Sequence, residues 1–210
     1  MALKLSLTLC AALFTARTLA TEPQPPLWPS AFTVNATEGY TGKGSGKVSY
    51  AYDSQQKAEK WTRHTTGLYA QDNVCQGVDA PCTDLVVAGN RWIIHPSTGD
   101  CCLLGTWAEG CGPLVRDWIA VSNGTFAGTA VVNNVEADEW DVKGFSLNRY
   151  WSTADRKNVP VRLDQGGYVN VYDRDSFELA PRGLPASTFT VPPSCSASKP
   201  CKSQHPCDFR

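Results

Sequence analysis

The sequence is poor in the residues and motifs that usually carry catalysis. It has three histidines in 210 residues, and no Gly-x-Ser-x-Gly motif identifies a nucleophilic serine. The glycine-rich stretch at 39–47 is not a phosphate-binding loop, because no glycine stands five positions before Gly46 and Val48 replaces the required Ser or Thr. These absences make a hydrolase the weakest functional hypothesis and favour a protein that is not an enzyme.

The patterns of nucleic-acid-binding and membrane-anchored proteins are also missing. Nineteen basic residues nearly balance 20 acidic ones, without a dense Lys/Arg cluster, so we expect no nucleic-acid partner. Beyond the first twenty residues, no apolar run approaches the length of a transmembrane helix. The polar C-terminus argues against a lipid-anchor signal. We therefore expect a chain that is not anchored in a membrane.

Residues 1–20 predict a signal peptide. Lys4 gives a positive start, residues 5–14 are mainly apolar, and Thr18-Leu19-Ala20 offers small residues where signal peptidase cleaves. Cleavage after Ala20 removes Cys10, one of nine cysteines. An even number of cysteines then remains, as expected for a secreted protein with disulfides.

The remaining cysteines divide between the middle of the chain and its end. Their spacings match no paired Cys-x-x-Cys or Cys/His zinc site, so we predict up to four disulfides. Adjacent Cys101 and Cys102 point to opposite faces of a strand and should serve different bridges. On the order of a hundred connectivities stay open, but at least one tail cysteine should pair with the middle group. The predicted disulfide cysteines are Cys75, Cys82, Cys101, Cys102, Cys111, Cys195, Cys201 and Cys207.

Two Asn-x-Thr sequons begin at Asn35 and Asn123. Such sequons are the acceptors of N-linked glycans in secreted proteins. The motif is short and also occurs by chance, but it agrees with the compartment that the signal peptide and cysteines indicate. We predict N-glycosylation at these two positions.

From about Gly42 onward the sequence is typical of an all-β protein, with short β-branched and aromatic runs separated by Gly, Asn and Asp. Val48, Tyr50 and Tyr52 alternate with small or polar residues, as on a half-buried strand. A helical turn within 111–119 competes with a strand. The spacing predicts antiparallel pairing in a sandwich or an open or closed barrel. The predicted strands are 48–52, 61–69, 85–87, 92–94, 118–121, 125–132, 140–145, 147–152, 159–163 and 168–172.

Turn signals refine this prediction at three places. Gly89-Asn90 and Ser122-Asn123-Gly124 each predict a hairpin between the strands that flank them. Pro160 predicts an edge strand or the start of a strand, because proline cannot donate a ladder hydrogen bond.

The aromatic content is the positive functional signal. Seven tryptophans, seven tyrosines and seven phenylalanines are spread over nearly every predicted strand. A curved sheet with such residues on its concave face encloses an apolar cavity for a lipid-like ligand; a fully packed core is the alternative. The predicted ligand-binding residues are Tyr50, Tyr52, Trp61, Tyr69, Trp92, Ile94, Trp118 and Phe126. We predict no catalytic residue, no metal ligand and no cofactor, with Asp173, Asp175 and Glu178 as a weak candidate for calcium.

Several motifs resemble the ependymin-related secreted proteins, whose fold is similar to that of the LolA-type lipoprotein carriers. The resemblance covers roughly residues 45–195. The matching pieces are Val48-Ser-Tyr-Ala-Tyr-Asp53, the strand around Arg63, Cys75, Trp92-Ile-Ile-His-Pro96 with cysteines beyond it, Val159-Pro-Val161, Tyr172-Asp173, and Pro185-Ala-Ser-Thr-Phe-Thr-Val-Pro192 before Cys195. The resemblance implies a curved antiparallel half-barrel with one or two short helices, an apolar pocket, homodimer formation, calcium association and no catalysis. Cys201 and Cys207 depart from the family pattern.

Together these observations predict a secreted, disulfide-bonded glycoprotein that binds a hydrophobic small molecule or lipid. A signal peptide at 1–20 precedes a single β-rich domain at 21–194 and a cysteine-containing tail at 195–210. An extracellular interaction or matrix module without an internal ligand is the alternative, and a secreted hydrolase is the third hypothesis.

Overall fold

The computed structural model describes residues 23–40, 44–64, 75–78, 81–144, 146–155, 157–202 and 207. The predicted signal peptide and Tyr69 lie outside these residues. Eleven strands occur in the described chain: β1 Ala31–Tyr40, β2 Gly44–Asp53, β3 Ala58–Arg63, β4 Cys82–Val87, β5 Asn90–His95, β6 Asp100–Thr106, β7 Thr125–Val132, β8 Val135–Lys143, β9 Leu147–Thr153, β10 Pro160–Gln165 and β11 Tyr168–Leu179. The helical elements are α1 (Trp118–Val121) and 3₁₀ turns at Trp107–Glu109 and Ala186–Phe189.

All eleven strands form one antiparallel sheet in the order β6-β5-β4-β3-β2-β1-β11-β10-β9-β8-β7. Two meanders, β1 to β6 and β7 to β11, meet where β1 pairs with β11. The sheet is open, and β6 and β7 are its edge strands. The predicted fold class, a mainly β, curved antiparallel half-barrel with short helices and disulfides, is confirmed.

The curvature follows from contacts between strands that are distant in the sheet. Strands β2 and β9 are four strand spacings apart, which is about 19 Å in a flat sheet. The ring of Trp28 nevertheless lies 6.3 Å from that of Tyr50 on β2 and 6.0 Å from that of Tyr150 on β9. The sheet therefore wraps around Trp28. We call the face that carries Tyr50, Trp61 and Tyr150 the inner face, and the opposite face the outer face.

Both faces are covered. On the inner face, Trp28 and α1 pack against aromatic side chains of β1, β2 and β9. On the outer face, Phe189 and neighbouring residues of the C-terminal segment pack against Leu85, Trp92 and Ile94. The largest apolar cluster thus lies inside the curved sheet, and a smaller one lies beneath the segment that follows β11.

The hairpin predicted around Gly89-Asn90 is confirmed, with its turn one residue earlier. Ala88 and Gly89 both have positive φ, at 51° and 85°, as a two-residue turn of the primed type requires. Asn90 then opens β5 and pairs with Val87.

The predicted strand at 118–121 is wrong, because these residues form the helical turn α1. Trp118 and Ile119 are both buried, and neighbouring residues on a strand point to opposite faces, whereas one face of a helix can bury both. A Cβ on Gly124 would lie 2.5 Å from Ile119 Cγ2, so glycine is needed where the chain leaves α1 for β7. The hairpin predicted there is therefore absent.

Other strand predictions agree in part. β3 ends at Arg63, and most of the rest of the predicted 61–69 strand lies outside the described residues. β1 and β6 were not predicted. Pro160 is the first residue of β10, so the prediction of a strand start is confirmed. The alternative, an edge strand, is wrong, because β10 lies between β9 and β11.

The described cysteines form four disulfides. Cys75 pairs with Cys82, Cys101 with Cys195, Cys102 with Cys201, and Cys111 with Cys207. The expectations that Cys101 and Cys102 serve different bridges and that the tail pairs with the middle group are confirmed. The tail also runs along edge strand β6, where Leu103 N donates to Lys199 O and Cys201 N donates to Leu103 O, each at 2.8 Å. This segment supplies partners to a strand edge that would otherwise be unpaired. None of the helices in the described ranges is long and apolar enough to cross a membrane.

Candidate ligand-binding cavity

A cavity of about 100 Å³ lies on the inner face, and Leu114, from the segment before α1, is part of its lining. Period-two alternation places Glu59, Trp61 and Arg63 of β3 on this face, and does the same for Tyr168, Asn170 and Tyr172 of β11. The lining combines charged, polar, aliphatic and aromatic side chains. It consists of Glu38, Glu59, Trp61, Arg63, Asp84, Arg91, Ile93, Leu104, Leu114, Leu163, Gln165, Tyr168, Asn170 and Tyr172.

One side of the cavity is a buried ion pair between β1 and β3. Arg63 Nε donates to Glu38 Oε2 at 2.7 Å, and Nη2 donates to Oε1 at 2.8 Å. The intervening strand β2 places Gly46 opposite Glu38. Because Gly46 has no side chain, the arginine can reach across β2 to the carboxylate.

A second ion pair joins β4 and β5. Arg91 Nε donates to both carboxylate oxygens of Asp84, at 2.8 Å and 3.1 Å, and Nη2 also donates to Oδ2. Burial opposes the charge of Arg91, but the Asp84 carboxylate outweighs burial and raises the pKa of the guanidinium. Arg91 is therefore charged at neutral pH.

A third carboxylate, Glu59, connects the sheet to the segment that covers it. Its Oε2 accepts hydrogen bonds from Tyr50 O–H at 3.2 Å and from Leu114 N–H at 3.3 Å. Tyr52 O–H donates to Leu114 O at 2.9 Å. Leu114 is thus held at the cavity through both of its backbone polar groups.

Aromatic rings form another wall. Trp61 stacks on Tyr50 with 4.1 Å between ring centroids, and its centroid is 6.4 Å from that of Tyr172. Burial, and then the Glu38 and Glu59 carboxylates, raise the pKa of the Tyr172 phenol. Tyr172 is therefore neutral and keeps its proton available as a hydrogen-bond donor.

Some polar atoms at the cavity have no hydrogen-bond partner among the described residues. They include Tyr172 Oη, Asn170 Oδ1 and Arg91 Nη1. Tyr172 and Asn170 are 4% and 5% exposed. Since buried polar groups are almost always paired, these atoms are available to a polar group that enters the cavity.

The predicted ligand-binding residues do not all meet at this cavity. Trp61 lines it; Tyr50, Tyr52 and Trp118 are buried in the inner cluster, where Phe126 packs at the margin. Trp92 and Ile94 lie on the outer face beneath Phe189. Sequence reasoning missed the charged lining, although charged residues at alternate positions of β3, around Trp61, were a usable signal.

One serine–histidine contact bears on the hydrolase hypothesis. Ser49 Oγ lies 2.9 Å from His64 Nε2 and donates to Asn35 Oδ1 at 3.0 Å. Which of the two atoms donates in the contact with His64 depends on the tautomer of the imidazole. The contact therefore does not by itself identify a general base.

The acidic cluster noted in the sequence, Asp173, Asp175 and Glu178, is not grouped with other ligands among the described residues. Asp173 Oδ1 accepts from the Asp175 amide at 3.2 Å, as in a local turn. Within the part of the chain that is described, no three His, Cys, Asp or Glu residues are placed to hold a metal ion. Calcium association stays a prediction.

Comparisons with known proteins concern the fold. No family model and no curated protein matches the sequence significantly, so the ependymin-related assignment is not confirmed. An uncharacterised conserved protein from Thermus thermophilus has a similar structure over 76% of this chain and 83% of its own, with 8% identity and a TM-score of 0.51. At that identity the likeness shows a shared fold and nothing more.

Two further structures are LolA-type proteins. A LolA superfamily protein from Nitrosomonas europaea matches 80% of this chain and 93% of its own, with 10% identity and a TM-score of 0.37. A putative outer membrane lipoprotein-sorting protein domain from Vibrio parahaemolyticus matches 78% and 90%, with 8% identity and a TM-score of 0.36. These scores are too low to carry a functional argument.

Proposed function

We propose that this protein is a secreted, non-catalytic binding protein for a hydrophobic or amphiphilic small molecule. The observation that carries the proposal is the inner cavity, where apolar side chains surround buried polar atoms that lack partners. Ligand sites commonly combine a mostly apolar wall with a few placed polar groups. The polar side chains of the lining would bind the head group of an amphiphile, and the apolar ones would contact its carbon chain.

The volume defines how such a ligand would bind. Sites that enclose a drug-sized molecule are about 300–1,000 Å³, whereas this cavity is about 100 Å³. A polar head group and the first few carbons fit inside. The remaining carbons would lie against Trp61, Leu104 and Leu114, which are half-buried. Each CH₂ removed from water contributes about 0.8 kcal/mol.

Secretion is supported by the disulfides. Four bridges within one chain are typical of an oxidising compartment. Both sequon asparagines, Asn35 and Asn123, are exposed, as an N-glycan requires. Peptide mapping after secretion from a eukaryotic host should find glycans at both positions.

Calorimetric titration with 1-octanol tests the binding function. The wild type, after solvent extraction, should bind one molecule per chain. Leu104→Trp places a larger side chain on the cavity wall and should weaken binding at least tenfold. Leu179→Trp makes the same change at an exposed position and should bind like the wild type. Equal binding by both variants would place the ligand elsewhere, and no binding by any protein would refute the proposal.

A second candidate, an extracellular interaction module, is favoured by a different observation. Trp28 and Trp118 fill the centre of the inner face, so most of that face is packed core. The interaction surface would then be edge strand β7, where Val131 is 75% exposed. A dimer in light scattering that Val131→Lys converts to a monomer, together with no uptake of 1-octanol, would favour this candidate.

A further inference from the structure

We propose that a groove on the outer face of the sheet is a carbohydrate site, and that it holds the first sugars of an N-glycan on Asn35. This inference rests on the proposed glycosylation and goes beyond the amphiphile cavity, which lies on the inner face. It is carried by the position of Asn35 in the lining of the groove, by the contacts of its side chain and by the chemistry of the neighbouring residues.

The groove has a volume of about 330 Å³ and crosses β1, β2 and β3. Sites for small molecules are about 300–1,000 Å³, so the groove is large enough for one. Its floor lies on the outer face, because Phe32 and Val34 alternate with the floor residues of β1 and point into the inner cluster. The floor consists of two rows of paired residues, Asn35–Ser49–Thr62 and Thr33–Ala51–Lys60.

The groove exists because five of these six side chains are short and the segments beside them stand higher. On the β3 side, Thr188 lies in the 3₁₀ turn Ala186–Phe189, and Lys60 Nζ donates to its carbonyl oxygen at 3.3 Å. On the β11 side, the register between β1 and β11 shifts between Thr33 and Asn35. The bulge that results contributes Ser176 to the lining. The C-terminal segment and β11 thus form the two walls.

Asn35 is held at both its backbone and its side chain. Its amide N–H donates to Ser176 Oγ at 2.8 Å, and its Oδ1 accepts from Ser49 O–H at 3.0 Å. An N-glycan is linked through Nδ2, which diverges from Oδ1 at the same carbon. Because Ser49 fixes Oδ1, it also restricts the direction of Nδ2. The first sugar therefore begins within the lining of the groove and in a restricted orientation.

The chemistry of the groove matches that of a sugar. Thr33 and Thr62 carry hydroxyls, which donate and accept, while Lys60 provides donors and Glu178 provides acceptors. Sugar hydroxyls also donate and accept. The ring of Tyr50 belongs to the inner cluster, so the groove has a polar lining that should bind a free sugar weakly. A covalent link at Asn35 raises the local sugar concentration to about the millimolar range or above, where weak contacts are sufficient.

Site-resolved release of the glycans from the folded protein tests this proposal. Protein secreted from a eukaryotic host is treated with peptide N-glycosidase, and peptide mapping follows Asn35, with Asn123 as the reference site. Thr33→Trp fills the floor of the groove and should accelerate release at Asn35 at least fivefold. Thr129→Trp makes the same change at an exposed position on β7 and should leave the rate at Asn35 as in the wild type.

The melting temperature provides a second measurement that does not depend on the folding of Thr33→Trp. Thr37→Val and Thr125→Val each remove one sequon with little change in side-chain volume. The same proteins made without glycans in a bacterial periplasm give the effect of the side chain alone, which is subtracted. After this subtraction, Thr37→Val should lower the melting temperature by about 2–4 °C, and Thr125→Val by less than about 1 °C.

Unchanged release at Asn35 from a folded Thr33→Trp variant would overturn the proposal. Equal corrected shifts for Thr37→Val and Thr125→Val would overturn it as well, and both results would leave the glycosylation standing. An unmodified Asn35 in the secreted wild type would refute the glycosylation and this inference together. The binding of 1-octanol on the inner face is measured separately and does not depend on any of these results.

Discussion

Arg63 and Glu38 form a bidentate ion pair across β2, with each side chain only 6% exposed. The two residues lie on β3 and β1, and Gly46 of β2 leaves the gap through which they meet. A pair this deeply buried depends on mutual neutralisation, because either charge alone would be buried without compensation.

Removing one member of this pair should be costly. Arg63→Leu leaves the Glu38 carboxylate buried without its guanidinium and should lower the free energy of unfolding by about 3–5 kcal/mol. The double variant Glu38→Leu/Arg63→Leu should recover most of that loss. Urea unfolding with the disulfides intact measures both effects.

The matched control is Arg149→Leu. Arg149 is 52% exposed and pairs with Glu139 and Asp141 at 3.8 Å and 3.5 Å. Exposed pairs contribute about 0–1 kcal/mol, so little change is expected. Equal losses for Arg63→Leu and Arg149→Leu would contradict the buried-pair account.

The disulfides Cys101–Cys195 and Cys102–Cys201 should not contribute independently to the free energy of unfolding. An isolated bridge over the 94-residue separation of Cys101 and Cys195 would contribute about 4.7 kcal/mol in the chain-entropy model. The adjacent bridge Cys102–Cys201 already holds the same chain segments together, so only a short loop is left to close. Cys101→Ala/Cys195→Ala should therefore cost about 2.5 kcal/mol in loop entropy.

Cys75→Ala/Cys82→Ala is the comparison for this loss. That bridge closes a separation of 7 residues and should also contribute about 2.5 kcal/mol. The two double variants should differ by less than about 1 kcal/mol in urea unfolding. A loss near 5 kcal/mol for the Cys101–Cys195 variant alone would show that the bridges act independently.

Asp53 should make the stability depend on pH. Burial opposes its ionisation, but the backbone amides of Gln56 and Leu184 donate to its carboxylate at 3.0 Å and 2.8 Å, and together with the other hydrogen bonds they lower its pKa. A lowered pKa in the folded state stabilises the fold above the unfolded pKa of about 4, and that contribution is lost as the pH falls through the folded value.

Asp53→Asn tests this linkage. At pH 7 the variant should be about 2 kcal/mol less stable, because hydrogen bonds to a charged group are replaced by weaker ones. The difference from the wild type should shrink below about pH 4. Asp175→Asn at an exposed position should change stability by less than about 0.5 kcal/mol at any pH. A difference for Asp53→Asn that stays constant from pH 7 to pH 2 would contradict the assignment.

Trp28 should be essential to the curvature of the sheet. Its side chain is fully buried, and its ring contacts those of Phe32, Tyr50, Tyr52, Trp118 and Tyr150. Trp28→Ala removes this shared contact and should lower the free energy of unfolding by about 3–5 kcal/mol. Trp107→Ala, at a half-buried position, should lose less than half of that amount. Equal losses would show that Trp28 has no special place in the core.

The sequence predicted the parts of the fold that local patterns determine. Val48, Tyr50 and Tyr52 alternate as expected on β2, and the β4–β5 hairpin has its positive-φ turn. β1 was missed because polar residues such as Thr33, Asn35 and Thr37 interrupt its apolar pattern, and because one of its two partners, β11, lies more than 100 residues away. The disulfide pairing was open for the same reason: three bridges join cysteines that are 94 to 99 positions apart, and no local signal relates them.

The candidate site was less accessible to sequence reasoning. Aromatic residues were expected to line an apolar pocket, but the face of each residue depends on strand register. Trp92 lies on the outer face with Leu85. Trp61 lies on the inner face with Glu59 and Arg63, and nothing local to either strand distinguishes the two cases. The charged residues drew no attention because charge usually indicates a solvated surface. Only the register of β1, β3, β4, β5 and β11 brings them together.

Native mass spectrometry of the protein as secreted from a eukaryotic host tests the central claim most directly. The binding account predicts one small amphiphile per chain, removed by solvent extraction and regained on incubation with 1-octanol. The Leu104→Trp variant should carry no such adduct, whereas Leu179→Trp should carry it. A folded wild-type protein that is free of adduct before extraction and acquires none afterwards would contradict the account.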